Sequence, residues 1–321
     1  MNKLRVGVIG VGHLGKHHAR LYASLPGVAL VGVTDANPER ARLMAEQHGT
    51  IAYPSLTALL SDIEAVSVAV PTSAHYPVVK SCLEAGVHVL VEKPIAASSA
   101  EARDLVDVAH KRSCVLQVGH VERFNPIIRA VRPRIQRPAF IECHRLAPFG
   151  ERGTDVDVVL DLMIHDLDMV LSFDPGPVEE VRAAGVAVLS PNIDIANARI
   201  AFASGCVANL TASRVSTNRM RRLRVFQRDA YITVDYQTRQ GAILRRVAGA
   251  GPRPTIEAEQ VQGSDDEPLK LELEAFVRAI TDGTPPPVSG EDGAAALELA
   301  QQVTDAVSAF VRRHEGGESR G

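Results

Sequence analysis

The chain has 321 residues, enough for two domains rather than one. Its 45% hydrophobic content, 23% charged content and net charge of −3 are those of an ordinary globular protein, and they leave no global basic field for nucleic acid. Cys82, Cys114, Cys143 and Cys206 form no Cys-x-x-Cys pair, which argues against a zinc site or disulfide framework and fits a reducing cytoplasm. No apolar run reaches membrane-spanning length, and a first strand beginning at Leu4 leaves no room for a signal peptide.

Leu4 to Ile9 reads as a buried strand, followed by glycines and a helix through Leu25 that Pro26-Gly27 stops. Val28 to Thr34 is a second strand ending at Asp35. Asn37-Pro38 caps a helix that ends near Gly49. Ala65 to Val70 is another strand, broken by Pro71, and a helix from about Ser73 ends at Gly86. The next strand delivers Glu92-Lys93-Pro94. Ser98-Ser99-Ala100-Glu101 is a capping box, and Val115–Val118 closes the series. Alternating strands and helices imply a parallel sheet covered on both faces.

Past residue 120 the rhythm changes. A helix is expected from Pro126, a strand around Phe140 and a longer helix over Val156–Ser172. Strands follow at Val181–Leu189, Ile195–Phe202, Cys206–Val215, Leu223–Gln227, Tyr231–Asp235 and Ile243–Val247, with a hairpin turn at Ala203-Ser204-Gly205. Two amphipathic helices, Pro268–Thr281 and Gly293–Arg313, precede a polar tail, His314–Gly321, expected to be disordered. The expectation is an α/β fold: a dinucleotide-binding domain over 1–120, and an α/β domain with a large, mostly antiparallel open sheet over 121–321. The C-terminal helices are free to pack back on the first domain.

Gly10-x-Gly12-x-x-Gly15 follows a strand and opens a helix, the context in which such glycines let backbone approach a pyrophosphate at a helix N-terminus. His13 and Leu14 lie in that loop, His13 as a filler over the cofactor. Asp35, at the end of the second strand, suits the two adenosine ribose hydroxyls and repels a 2′-phosphate, so NAD is expected rather than NADP. Lys93 sits at a strand's carboxyl end, where ligands bind in open α/β sheets. It is either a functional ammonium or a salt-bridged surface lysine. At about 100° per residue, Asp161, His165, Asp168 and Ser172 share a helix face. Asp161 can orient His165 as a proton-transfer group, or the two can form a structural pair. Asp168 would offer a third ligand to a metal, but hydride transfer needs none where a lysine polarises the oxygen, and no metal is expected. Arg219-Met220-Arg221-Arg222-Leu223-Arg224 reads as a solvated strand edge or a phosphate-facing strand.

Together the glycine loop, Glu92-Lys93-Pro94 and Asp161-x-x-x-His165 resemble the Gfo/Idh/MocA oxidoreductases over nearly the whole chain. The resemblance implies a Rossmann domain joined to an open-sheet domain used for oligomerisation, and hence a homo-oligomer, dimer or tetramer. It implies oxidation or reduction of a carbon of a sugar or cyclitol, with Lys93, Asp161 and His165 in the family's catalytic positions. Pro71, Thr72 and His75 resemble the family's segment beside the cofactor. Val118-Gly119-His120-Val121-Glu122-Arg123-Phe124-Asn125-Pro126 and Gly153-Thr154-Asp155-Val156-Asp157 look like the branch acting on UDP-N-acetylglucosamine at its 3-hydroxyl. In that branch an aminotransferase converts the keto product to a 3-amino sugar for lipid A. A sibling branch takes the uronic acid. On this reading the substrate hydroxyl lies between Lys93 and His165, either of which can be the base, and Arg123, Asn125 and Arg214 are candidate substrate contacts. The rivals are a cofactor-binding regulator, which would need neither Lys93 nor His165, and a reductase of unsaturated bonds or imines.

Overall fold

The computed structural model describes residues 3–150, 156–247 and 255–318, with side chains through 313. The chain divides into two compact units, Met1–Val121 with Glu267–Leu297, and Glu122–Asp266 with Glu298–Gly321.

The first unit holds six parallel strands: β1 (Leu4–Ile9), β2 (Val28–Thr34), β3 (Ile51–Ala52), β4 (Ala65–Val68), β5 (His88–Glu92) and β6 (Leu116–Gly119). Their order is β3-β2-β1-β4-β5-β6, so the sheet changes direction between β1 and β4, where ligand crevices form in such sheets. Helices α1 (Gly15–Ser24), α2 (Pro38–His48), α3 (Leu56–Leu60), α4 (His75–Glu84) and α5 (Ser99–Arg112) make the connections. Asn37 caps α2 by accepting from Arg40 N, and Ser98 and Glu101 form the expected capping box of α5. Valine and isoleucine runs make β1, β4 and β5 strands buried on both faces. Helix α8 (Pro268–Asp282) completes this core, with Leu273 and Phe276 fully buried in one cluster with Val6, Val8, Leu21 and Tyr22. The short β3 and α3 were not expected; each is too brief to show a period in sequence.

The second unit holds α6 (Pro126–Val131) and an eight-stranded sheet ordered β14-β13-β12-β11-β7-β10-β9-β8. The strands are β7 (Phe140–Leu146), β8 (Val178–Val186), β9 (Ile195–Phe202), β10 (Val207–Ser213), β11 (Met220–Phe226), β12 (Ala230–Asp235), β13 (Gln240–Val247) and β14 (Thr255–Gln262). Only the β7–β10 pair is parallel. The β9–β10 hairpin turns at Gly205, whose φ of 84° suits a residue without a Cβ.

Four expectations need correction. Strand β8 ends at Val186 rather than Leu189, because the N–H groups of Val188, Leu189 and Ser190 are taken by the Asp194 carboxylate. The edge strand β14 was missed because nearly every side chain on it is exposed, which leaves no burial alternation. The helix expected over Val156–Ser172 is a π-turn, Val159–Met163, leading into α7 (Ile164–Leu171). Burying Val158 with Met163 and Val159 with Ile164 asks for a five-residue repeat, which the wider turn provides. Finally, the backbone of α9 (Gly290–Glu318) stays helical through much of the tail expected to be disordered. An established helix propagates without a new nucleus. Gly153-Thr154-Asp155 lies outside the described residues.

Candidate active site

In the first unit the glycine loop joins β1 to α1. Gly10 has a φ of 80°, and a Cβ there would lie 2.7 Å from the Ala69 carbonyl oxygen. A Cβ on Gly15 would stand 1.8 Å from the Gly10 oxygen, so both glycines are demanded by backbone packing. Gly12 is different: its nearest neighbour is Arg40 Nη1 at 3.7 Å, and its bare backbone faces a cleft. The first turn of α1 carries no acidic residue, and Leu14 gives it no side-chain cap, which leaves the positive end of the helix open to an anion.

This cleft, of about 500 Å³, is lined by Gly10, Gly12, His13, Leu14, Asp35, Pro71, Thr72, His75, Glu92 and Lys93, which are ten of the expected residues. Gly15 lies buried beneath it. Asp35 is fixed by Val11 N–H and Asn37 N–H, each donating at 2.8 Å, with Arg40 Nη1 at 3.4 Å. Arg40 was not anticipated; an exposed arginine on α2 gives no signal until the carboxylate beside it is seen. His13 is exposed, its ring edge-on to His17 at 6.2 Å. His75 is buried with Nδ1 2.7 Å from Pro94 O and Nε2 2.9 Å from Val70 O. Burial lowers its pKa against the pull of those carbonyls, and a neutral ring donates to only one of them. Lys93 follows Glu92 at the end of β5 and is half-buried. A carboxylate for the ribose, an open helix end and a side-chain-free floor fit a dinucleotide such as NAD.

In the second unit Asp161 lies in the π-turn and His165 in the first turn of α7, both half-buried. Their neighbours are held by arginines. Asp168, 1% exposed, receives Nε and Nη2 of Arg123 at 2.8 and 2.5 Å. Asp166 receives Nε and Nη2 of Arg145 at 3.0 and 2.8 Å, while Arg145 Nη1 donates to Glu122 at 3.0 Å. Burial works against the charge on Arg145, but the Asp166 and Glu122 carboxylates hold its pKa well above the ordinary value. Burial likewise pushes Glu122 up, and the guanidiniums of Arg145 and Arg221 outweigh it and lower its pKa. Among the described residues no group of three or more His, Cys, Asp or Glu is placed to hold a metal ion.

The expected substrate contacts Arg123, Asn125 and Arg214 each bond to protein groups. Arg123 pairs with Asp168. Asn125 caps α6, accepting from Ile127 N and donating to Glu122 and to the Tyr236 carbonyl. Arg214, 4% exposed, donates to the carbonyls of Val156 and Ile193 beside Asp194. The basic run lies on β11, a central strand rather than an edge, with Arg222 near Asp235 and Arg224 bonded to Glu142 and Tyr231. Sequence shows charges without their partners. The buried Arg145 was missed too, although it shares the inward register of Ile141 and Cys143 on β7.

Residues 4–120 match the oxidoreductase family model with an NAD-binding Rossmann fold, and residues 128–233 match the family's C-terminal domain. A UDP-N-acetylglucosamine 3-dehydrogenase of Acidithiobacillus ferrooxidans is 42% identical over 98% of this chain and 100% of its own. Its solved structure superposes with a TM-score of 0.92 over 97% of this chain and 100% of that one, at 41% identity. A myo-inositol 2-dehydrogenase of Thermotoga maritima is 28% identical over 92% of this chain and 94% of its own. With both halves matched and the full length shared, the chain belongs to the Gfo/Idh/MocA oxidoreductases, enzymes built on an NAD-binding Rossmann domain.

Proposed function

We propose that this enzyme oxidises the 3-hydroxyl of UDP-N-acetylglucosamine to a 3-keto sugar nucleotide. The observation that carries the proposal is the 42% identity to the Acidithiobacillus enzyme over the whole of both chains, against 28% to the inositol enzyme. NAD, when bound, accepts the hydride from the sugar carbon. The loop Gly10–Gly15 and the open N-terminus of α1 hold its pyrophosphate, and Asp35 receives the ribose hydroxyls. His165 and Lys93 share the proton-transfer and oxygen-steadying roles, and Asp161 orients His165. A nucleotide handle supports such chemistry by lending binding energy, far from the reacting carbon, to the choice of one hydroxyl among several.

The keto product suits consumption by an aminotransferase, which would yield a 3-amino sugar. The large sheet bears Phe140, Phe226 and Tyr231 half-buried on one face, in mutual ring contact at 5.7 and 4.9 Å, and this supports a homo-oligomer. No helix among the described residues is long and apolar enough to cross a membrane. The test is to incubate enzyme, NAD, UDP-N-acetylglucosamine, glutamate and a partner aminotransferase, and to follow the 3-amino product by mass spectrometry. Absence of that product alongside efficient oxidation of free inositol sinks the sugar-nucleotide reading.

A further inference from the structure

We infer that His18 is a positioning residue for Lys93, acting through Glu92. His18 lies on α1, one turn past the glycine loop, and is fully buried. Its Nε2 stands 2.9 Å from Glu92 Oε1. Nδ1, also buried, reaches no hydrogen-bond partner. The ring proton therefore belongs on Nε2, where the carboxylate accepts it. A buried polar atom left without a partner costs about 1–3 kcal/mol. An aliphatic side chain at this buried position of α1 would avoid that cost, so the imidazole is explained by its bond to Glu92 rather than by packing.

Glu92 is gripped from the other side as well. It pairs with Gly119 of β6, where a Cβ would come within 3.1 Å of both Glu92 Cα and Oε2. The carboxylate thus sits between an imidazole and bare backbone, 12% exposed. Two residues on, the Pro94 carbonyl lies 2.7 Å from His75 Nδ1. Lys93 is bracketed: the residue before it is anchored to α1 through His18, and the residue after it to α4 through His75. Neither histidine needs to touch the reacting atoms. Their bonds fix the backbone from which the Lys93 ammonium extends, and displacement of a reacting group by about 1 Å costs on the order of a hundredfold in rate.

The inference rests on Lys93 acting in the chemistry, so the test separates the two claims. Turnover and NAD affinity are measured for Lys93→Met, His18→Leu, His18→Gln, Glu92→Met and the His18→Leu/Glu92→Met double variant, on whichever substrate the wild type oxidises. His18→Leu is expected to lower kcat at least about tenfold, the scale of one hydrogen bond to a charged group, with KM and Kd for NAD changed less than about threefold. His18→Gln, which restores an N–H donor, should recover most of the loss. The double variant should fall no further than the worse single one, because both break the same link. If Lys93→Met retains turnover, the catalytic reading of Lys93 fails and this inference with it. If Lys93→Met is inactive while folded His18→Leu keeps wild-type kcat, or if the two losses add, the positioning role alone is overturned. Should His18→Leu show no cooperative thermal transition, Glu92→Met, which removes the acceptor, decides: a tenfold fall in kcat at unchanged NAD affinity supports the role, and wild-type kcat overturns it.

Discussion

The Gly10–Gly15 loop and helix α7 both hold polar groups at fixed positions, and they do so by opposite means. In the loop, side chains are removed: Gly10 and Gly15 let backbone segments meet at distances no Cβ allows, and Gly12 leaves the cleft floor bare. Around α7, side chains are added and paired: Arg123 grips Asp168, and Arg145 grips Asp166 and Glu122, on either side of His165. A ligand recognised by its phosphates can be met by backbone N–H groups alone. A histidine that must present one nitrogen needs its helix fixed in rotation and register, and buried ion pairs specify geometry better than they add stability.

The largest effect expected from this contrast is on the paired side. Arg145→Met should destabilise the protein by about 3–5 kcal/mol in urea unfolding, because Asp166 is left buried without its cation and Glu122 keeps only Arg221. Arg145→Met combined with Asp166→Leu should recover part of that. A loss under 1 kcal/mol for the single variant would mean that the pairs are incidental to the fold. Next come Lys93→Met and His165→Ala, each expected to cut turnover by at least about a hundredfold with little change in NAD affinity. If His165→Ala keeps near-normal turnover across pH, the pairs around α7 hold a structural histidine only.

Asp194→Asn sharpens the comparison at a loop built by one carboxylate. Burial would raise the Asp194 pKa, but the Ser190 hydroxyl and the N–H groups of Leu189, Val188 and Ser190 bring it down to about 2. A depressed folded-state pKa stabilises fully above the ordinary value of 3.8, and that stability is lost as pH falls towards 2. The wild type should therefore exceed Asp194→Asn by about 2 kcal/mol at neutral pH. The gap should close below pH 4, and a gap independent of pH would assign the effect to shape alone. The smallest change is expected in the cleft. Asp35→Ala removes the carboxylate and frees Arg40 for a 2′-phosphate, raising the NADP-to-NAD efficiency ratio by about tenfold, the worth of one charged hydrogen bond. Equal wild-type efficiency with both cofactors would defeat the reading of Asp35.

How far sequence carried depended on the same contrast. A glycine that must be glycine is visible in the chain, and so is a buried run ending in Glu92-Lys93-Pro94; the first sheet and its cleft were legible from them. Asp161 and His165 stood out in sequence as a carboxylate and an imidazole four residues apart. The π-turn that carries Asp161 was not, because a constant 100° step was assumed along the helix. The protein partners of Arg123, Asn125 and Arg214, among them Asp168, Glu122 and Asp194, were not legible, because a charge or amide does not announce its partner. Strand β14 escaped because its ladder with β13 is made by backbone alone.

The non-contiguous first unit has a consequence during synthesis. All six strands of its sheet exist once Gly119 has been made, but Leu273 and Phe276, which fill the core beside Val6, Leu21 and Tyr22, lie far downstream. At roughly 5–20 residues per second on the ribosome, the nascent Rossmann sheet waits on the order of ten seconds with that apolar face uncovered. It is then a client for chaperones that hold exposed apolar surface, and a protein truncated after β6 would stay one.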